Sequence, residues 1–394
     1  MNSQNNNPLW LKAGIIGSVW AAFEIIAGSF IHNLQIPFAG TMLSIAATFL
    51  LVSFLQIWKE KGIIIRAGII CALLKVVSPS AIILGPMVGI FMEAFIIEIF
   101  VFLLGRNIIG YMIAGAIAVL WSLIQKILFL LILYGADLIE LVRSFYEYLV
   151  KISGIQSFPP VYLISGIAML YLVSGMIAAI GGYLSGRKKP EPDYGKEIFF
   201  KPGSIKESIF QTNPDQHFSL PLLFLIIIGV ACTLFFINNK MYLQGILMGA
   251  VFIVFCIKRY RNSVRHLKKP HLWIQFLLIT LVATLVWELA STGQYFSVKG
   301  LITGLEMNFR ALIIVFGFAA ISVELRNPLV KSILNKKGLK ELHQTLSFAF
   351  ATLPSIIENM PGPAKIIKNK KSVISGLLKQ SQNLYLQFEK QNQT

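Results

Sequence analysis

The sequence predicts an all-α, polytopic membrane protein with about 6 + 4 transmembrane helices, followed by cytoplasmic amphipathic helices. Three observations carry that prediction. Hydrophobic residues make up 56% of the 394 and charged residues only 13%, whereas soluble domains run near half and a quarter; the mean hydropathy is +0.70. Apolar runs of the roughly 20 residues that a spanning helix needs recur along the chain. Between them Lys and Arg gather on alternate loops, the pattern of a membrane protein's cytoplasmic side. A formal net charge of +17 often accompanies nucleic-acid binding, but basic residues set between long apolar runs argue for a bilayer and against nucleic acid as partner. Cys71, Cys232 and Cys256 all lie inside apolar stretches, so neither a disulfide framework nor a zinc site is expected.

In chain order, six spans are expected within residues 1–186: 11–31, 38–57, 63–78, 84–104, 108–134 and 161–185. The third is short and carries Lys75. The start, MNSQNNNPLW, has no cleavable signal pattern, so the first helix is expected to stay in the membrane. Residues 187–217 (RKKPEPDYGKEIFFKPGSIKESIFQTNPDQH) are polar and hold four prolines, which reads as a cytoplasmic linker. Four spans are expected in 218–323: about 219–237, 242–257, 272–290 and 305–323. With the amino terminus inside, Lys59, Lys61, Arg106, the linker and the basic loop Lys258–His271 face the cytoplasm. The segments His32–Pro37, Ser78–Ile82 and Gly135–Pro160 face outward, and both termini are cytoplasmic. This orientation makes the chain a multi-pass membrane protein.

The charge divides unevenly. Residues 1–186 hold 9 Lys/Arg against 7 Asp/Glu, and residues 187–394 hold 26 against 11. Residues 324–394 alone carry 11 basic and 4 acidic residues, with Leu339, Leu342, Leu346, Ala349, Leu353 and Ile357 at helical spacing. A second stripe follows in Val373, Leu377, Leu384 and Phe388. Basic amphipathic helices of this kind lie on a membrane surface or dock onto a partner.

Few motifs carry chemistry. No phosphate-binding Gly-x-x-x-x-Gly-Lys-Ser/Thr loop occurs, and the nearest Gly-Lys, Gly195-Lys196, precedes Glu in the linker. No His-Glu-x-x-His or paired-cysteine set occurs either, so no metal, cofactor or intrinsic catalysis is expected. The first helix carries two overlapping small-residue ladders, Ala13, Gly17, Ala21 and Gly14, Ser18, Ala22. Such stripes let another helix approach closely, either within the same bundle or from another unit. Glu24, Lys75, Glu93, Glu98 and Lys126 fall inside spans, where each needs a partner or a polar cavity. Glu93 and Glu98 are offset by about 140° on one helix and do not form one site. A structural pairing of one of them with Lys75 or Lys126 is as reasonable as a ligand contact, and Glu24 suits the polar end of its helix. His32 and Asn33 precede Ile36-Pro37-Phe38-Ala39-Gly40, an outer loop that either caps a cavity or merely turns.

These residues carry a family resemblance. AGIIGSVWAAFE, IHNLQIPFAGTMLS and LGPMVGIFMEAFIIEIF resemble the substrate-binding S component of energy-coupling factor (ECF) transporters, a six-helix membrane protein. Residues 307–360 (MNFRALIIVFGFAAISVELRNPLVKSILNKKGLKELHQTLSFAFATLPSIIENM) look like the T component of the same transporters. The order of Arg310, Ser322, Pro328 and Gly338, with Leu353-Pro354 and Glu358 closing the stretch, carries that likeness. Together the resemblances cover nearly the whole chain.

The resemblance implies the membrane part of an ABC importer for a vitamin-like micronutrient, set in the inner membrane of a prokaryote and working with two ATPase subunits that supply any ATP hydrolysis. It implies substrate contacts at His32, Asn33, Glu93, Trp121 and Lys126. Helix packing between the halves falls to Ala13, Gly14, Gly17, Ser18, Ala21 and Ala22. Coupling would run through the region of Arg326, Gly338, Leu353, Pro354 and Glu358. Family coupling helices carry Ala-Arg-Gly-like signatures, and no Ala-Arg-Gly follows Glu358. That departure keeps a second class open: a transporter not driven by ATP, or a membrane scaffold, built on the same fold.

Overall fold

The computed structural model describes residues 8–33, 38–75, 84–153, 159–187, 220–260, 270–286 and 297–324, helical residues scattered through 341–356, and 376–386. Among them all regular structure is helical. The helices are α1 (Pro8–Asn33), α2 (Ala39–Ile57), α3 (Ile63–Lys75), α4 (Leu84–Leu104), α5 (Ile108–Tyr134), α6 (Asp137–Ser153) and α7 (Pro160–Arg187). They continue with α8 (Leu220–Asn238), α9 (Tyr242–Arg259), α10 (Pro270–Val286) and α11 (Val298–Glu324), and α12 covers 376–386. Eight of these, α1, α2, α4, α5, α7, α8, α9 and α11, are long and apolar enough to cross a membrane. The chain is a multi-pass, helical membrane protein. α3 and α10 are shorter, at 13 and 17 residues.

Local chemistry sets several helix ends. Asn107 caps α5 by accepting from Gly110 N at 2.7 Å, satisfying one of the amides a helix start leaves open. The start of α3 is capped from another helix: the Glu98 carboxylate on α4 accepts from Gly62 N at 2.6 Å and Ile64 N at 2.9 Å. Glu98 thus spends its charge on backbone donors, where a carboxylate is favoured by the helix dipole.

α6 corrects an expectation. The segment between α5 and α7, read from sequence as an outward loop, holds a helix of 17 residues. Its Glu140, Arg143, Glu147 and Lys151 follow one face, while Ile139, Val142, Phe145 and Leu149 stand exposed on another. Leu141 is buried against the second core.

Two cores organise the molecule. In the first, Ile16 and Trp20 of α1, Leu51 and Phe54 of α2, Ile64 and Ile70 of α3, and Ala94 and Ile97 of α4 are essentially inaccessible. Leu342, Ala349, Leu353, Ile356, Leu377, Leu378 and Leu384 join this same core. The described residues of the carboxy-terminal amphipathic segments therefore pack on the first bundle of their own chain; Leu339, Ile357, Val373 and Phe388 of the expected stripes lie outside the described residues. The second core gathers Ile226 of α8, Phe252 and Cys256 of α9, Phe276 of α10 and Met307, Ile313 and Ile314 of α11, together with Leu133 and Tyr134 of α5 and Leu141 of α6.

α7 lies against α5 and α2 by way of small residues. A Cβ on Gly115 of α5 would meet Gly175 O of α7 at 2.8 Å and Ala179 Cβ at 2.8 Å, so the two backbones touch. Such close approach is the usual means of packing helices in lipid, where apolar surface alone supplies no driving force. Large apolar side chains elsewhere on the spans, such as Leu170 and Leu243, stand exposed, as a surface facing hydrocarbon requires.

Candidate functional site

Four helices of the first bundle converge on a buried polar cluster. Lys75 closes α3 and places its Nζ 3.6 Å from Glu24 Oε2 of α1. On the facing helices, the Ser44 hydroxyl of α2 donates to Glu93 Oε1 of α4. All four lie within an apolar frame, and Glu24 and Glu93 are only 5% and 6% exposed. Unpaired, either carboxylate would be costly at this depth.

The cluster revises the expected pairings. Lys75 joins Glu24 rather than Glu93 or Glu98, and Glu24 sits in the bundle rather than at a polar helix end. Lys126 is exposed and rests over the Phe38 ring, 4.7 Å from its centroid, with no carboxylate partner among the described residues. Trp121, one turn and a residue earlier on α5, is half-buried and its indole Nε1 has no hydrogen-bond partner. The backbone of His32 and Asn33 closes α1, and their side chains lie outside the described residues. Of the three expected substrate contacts whose side chains are described, Glu93 falls in the cluster itself, and Trp121 and Lys126 do not.

The small-residue face of α1 has two neighbours. Gly17 faces α3, where a Cβ would come within 2.8 Å of Ala67 O and 2.9 Å of Ile70 Cβ. Gly14 and Ser18 face the carboxy-terminal segment. A Cβ on Gly14 would meet Thr345 Cγ2 at 2.6 Å, and the Thr352 hydroxyl donates to Ser18 Oγ at 3.4 Å. Ser18 in turn donates to Gly14 O at 2.7 Å. Ala13, Ala21 and Ala22 are buried in the same core. One stripe therefore serves both internal packing and the carboxy-terminal contact. Leu353 is buried there too; Arg326, Gly338, Pro354 and Glu358 lie outside the described residues.

At the α1-start end of the bundle, α12 completes the contact. Tyr385 sets its ring against Trp58 at 6.0 Å, centroid to centroid, and beneath Lys12 Nζ at 5.0 Å. Lys12 also pairs with Glu60.

A second joint lies on the other core. Arg310 of α11 is 7% exposed. Its guanidinium donates to Asp137 Oδ2 at 2.8 Å, to the Tyr134 carbonyl at 3.4 Å and to Glu306. It thereby ties α11 to the start of α6 and the end of α5. About two turns further along α11, the Phe318 ring stacks on Phe129 of α5 at 6.1 Å. Tyr260, just past α9, donates to Glu324 at 2.7 Å. Burial first, and then this hydrogen bond, hold its phenol above the usual range.

Comparison with protein-family models, with curated proteins and with solved structures returns no match.

Sequence reasoning placed Glu24 and Lys75 inside spans without placing them in a site, and it passed over Ser44 and the α7 glycines. The α7 run, Gly175, Ala179, Gly182 and Gly186, repeats at three- and four-residue spacing, a signal as strong as that of α1. Ser44 carries no such signal, since a single serine in an apolar helix usually satisfies itself on its own backbone.

Proposed function

We propose that this chain is the membrane subunit of an ECF-type importer for a vitamin or similar micronutrient. In this reading residues 1–186 bind substrate, and the carboxy-terminal part scaffolds them and couples to two ATPase subunits. α3 and α10 count as spans, giving six and four, and both termini lie in the cytoplasm of a prokaryote.

The observation that carries the reading is the seat of the α1 ladder. Gly14 and Ser18 receive Thr345, Phe348, Ala349 and Thr352, so the stripe expected to join the halves meets the segment expected to couple them. A movement imposed on residues 341–356 would then reach the substrate-binding bundle directly, without passing through lipid.

The test is co-expression of the tagged full chain with ABC ATPases from its own source, followed by purification in mild detergent. Stoichiometric recovery of two ATPase subunits, lost on replacing Leu353 and Ala349 by Asp, is the expected outcome. Recovery of the chain alone would count against ATP-driven import.

A specific observation favours the second reading. Between Glu358 and Thr394 the cations are all lysine, among them Lys365, Lys368, Lys370 and Lys371, and these lack the planar fork of arginine. A transporter not driven by ATP, or a scaffold on the same fold, would need no ATPases. Uptake by proteoliposomes of the purified chain separates the two: transport that proceeds without ATPases or ATP supports the second reading.

A further inference from the structure

The polar cluster of the first bundle holds more acidic than basic side chains. Two carboxylates, Glu24 and Glu93, face one ammonium, Lys75, and that ammonium is already held by Glu24 at 3.6 Å. Glu93 receives the Ser44 hydroxyl, and among the described residues no cation lies within ion-pair distance of it. A carboxylate buried among apolar helices without a counter-cation is unfavourable. Such residues in membrane proteins face one another, a polar cavity or a ligand.

A second polar group nearby also lacks a partner. Thr48 lies one turn along α2 from Ser44, on the same helix face. It is fully buried, and its hydroxyl makes no hydrogen bond.

These groups share one end of the bundle. At 1.5 Å per residue, Ser44 stands about 8 Å from the start of α2, and Glu93 and Glu24 stand about 14 Å from the start of α4 and the end of α1. All three measure from the same end of the bundle, opposite the Lys12–Glu60 pair. In the orientation proposed above, that is the end a substrate reaches from outside.

We infer that Glu93, oriented by Ser44 and flanked by the Glu24–Lys75 pair, is the anionic contact for a micronutrient bearing one positive charge, a protonated amine or a cationic nitrogen heterocycle. This deepens the importer reading and rests on it. A bound cation supplies the counter-charge that Glu93 lacks among the described residues, an attraction that a low-dielectric site strengthens. An anionic substrate would find only an ammonium that Glu24 already holds.

The experiment titrates the purified full chain in mild detergent with thiamine, choline and pyridoxamine as cationic probes, and with biotin, pantothenate and riboflavin as anionic and neutral ones. Binding is followed by tryptophan fluorescence and melting temperature. Saturable binding of at least one cationic probe is expected, weakened about tenfold or more in Glu93→Gln, in line with the cost of removing one member of a buried charge pair. Gln keeps the size of Glu and still accepts from Ser44, so this variant is expected to fold. Arg143→Gln on the exposed face of α6 is expected to bind like the parent chain. Binding of no cationic probe, or equal binding by Glu93→Gln, overturns the inference. Binding confined to the anionic or neutral probes also overturns it while leaving the importer reading in place, since that reading stands or falls on ATPase recovery.

Discussion

Lys75 shows how much a single side chain carries in this bundle. It is the partner of Glu24, and both side chains are nearly inaccessible, at 12% and 7%. Lys75→Met leaves a buried carboxylate alone, a loss of the kind that costs about 3–5 kcal/mol. A markedly lowered melting temperature in detergent is expected, and the Glu24→Gln/Lys75→Met double variant is expected to recover most of it. Gly17 is a second such position. A side chain there runs into Ala67 O at 2.8 Å, so Gly17→Val is expected to destabilise by about 1–3 kcal/mol through overpacking, read from the same melts. The sequence disclosed that these residues sit in a span and need company. It did not disclose which company, because the choice between Glu24, Glu93 and Glu98 for Lys75 depends on how three helices turn toward each other. Glu98 illustrates the point: its partners are the backbone amides of Gly62 and Ile64, which have no side-chain signature.

Helices were the most legible level. The apolar runs at 84–104 and 108–134 coincide with α4 and α5, because an uninterrupted apolar stretch bounded by Gly105-Arg106-Asn107 leaves little choice. α6 escaped because counting apolar residues over a spanning window overlooks a helix with one charged face; its signal is period, and Ile139, Val142, Phe145 and Leu149 carried it. The small-residue face of α1 was legible as a packing face. Its division between α3 at Gly17 and residues 345–352 at Gly14 and Ser18 was not, because spacing alone names no neighbour. That division has a direct test. With Cys71, Cys232 and Cys256 replaced by Ala and a protease site placed within 187–217, the pair Ser18→Cys/Thr352→Cys is expected to cross-link on oxidation. After cleavage the halves then run as one band on a non-reducing gel; Ile139→Cys/Thr352→Cys is expected to leave two.

At the scale of the molecule, the polar segment 187–217 separates two parts that share both cores. Leu342, Leu353 and Leu384 enter the first core, and Leu133, Tyr134 and Leu141 enter the second. Covalent continuity is therefore not what keeps them together. Cleavage at an inserted site in 187–217 is expected to leave both fragments co-eluting on size exclusion in mild detergent. Combining Arg310→Gln with Leu353→Asp is expected to separate them, since each change attacks one of the two joints. Composition had indicated two parts with different charge. It left the carboxy-terminal helices free to lie on a membrane surface or to dock elsewhere, and the answer depended on Tyr385 finding Trp58 and Lys12, a meeting of residues more than three hundred positions apart.

Those two joints stand on different helices and in different cores: Ser18 with Thr352 on one, and Arg310 with Asp137 on the other. Any displacement of one part against the other therefore strains both joints together, so the hydroxyl pair in one core and the ion pair in the other act as a single restraint.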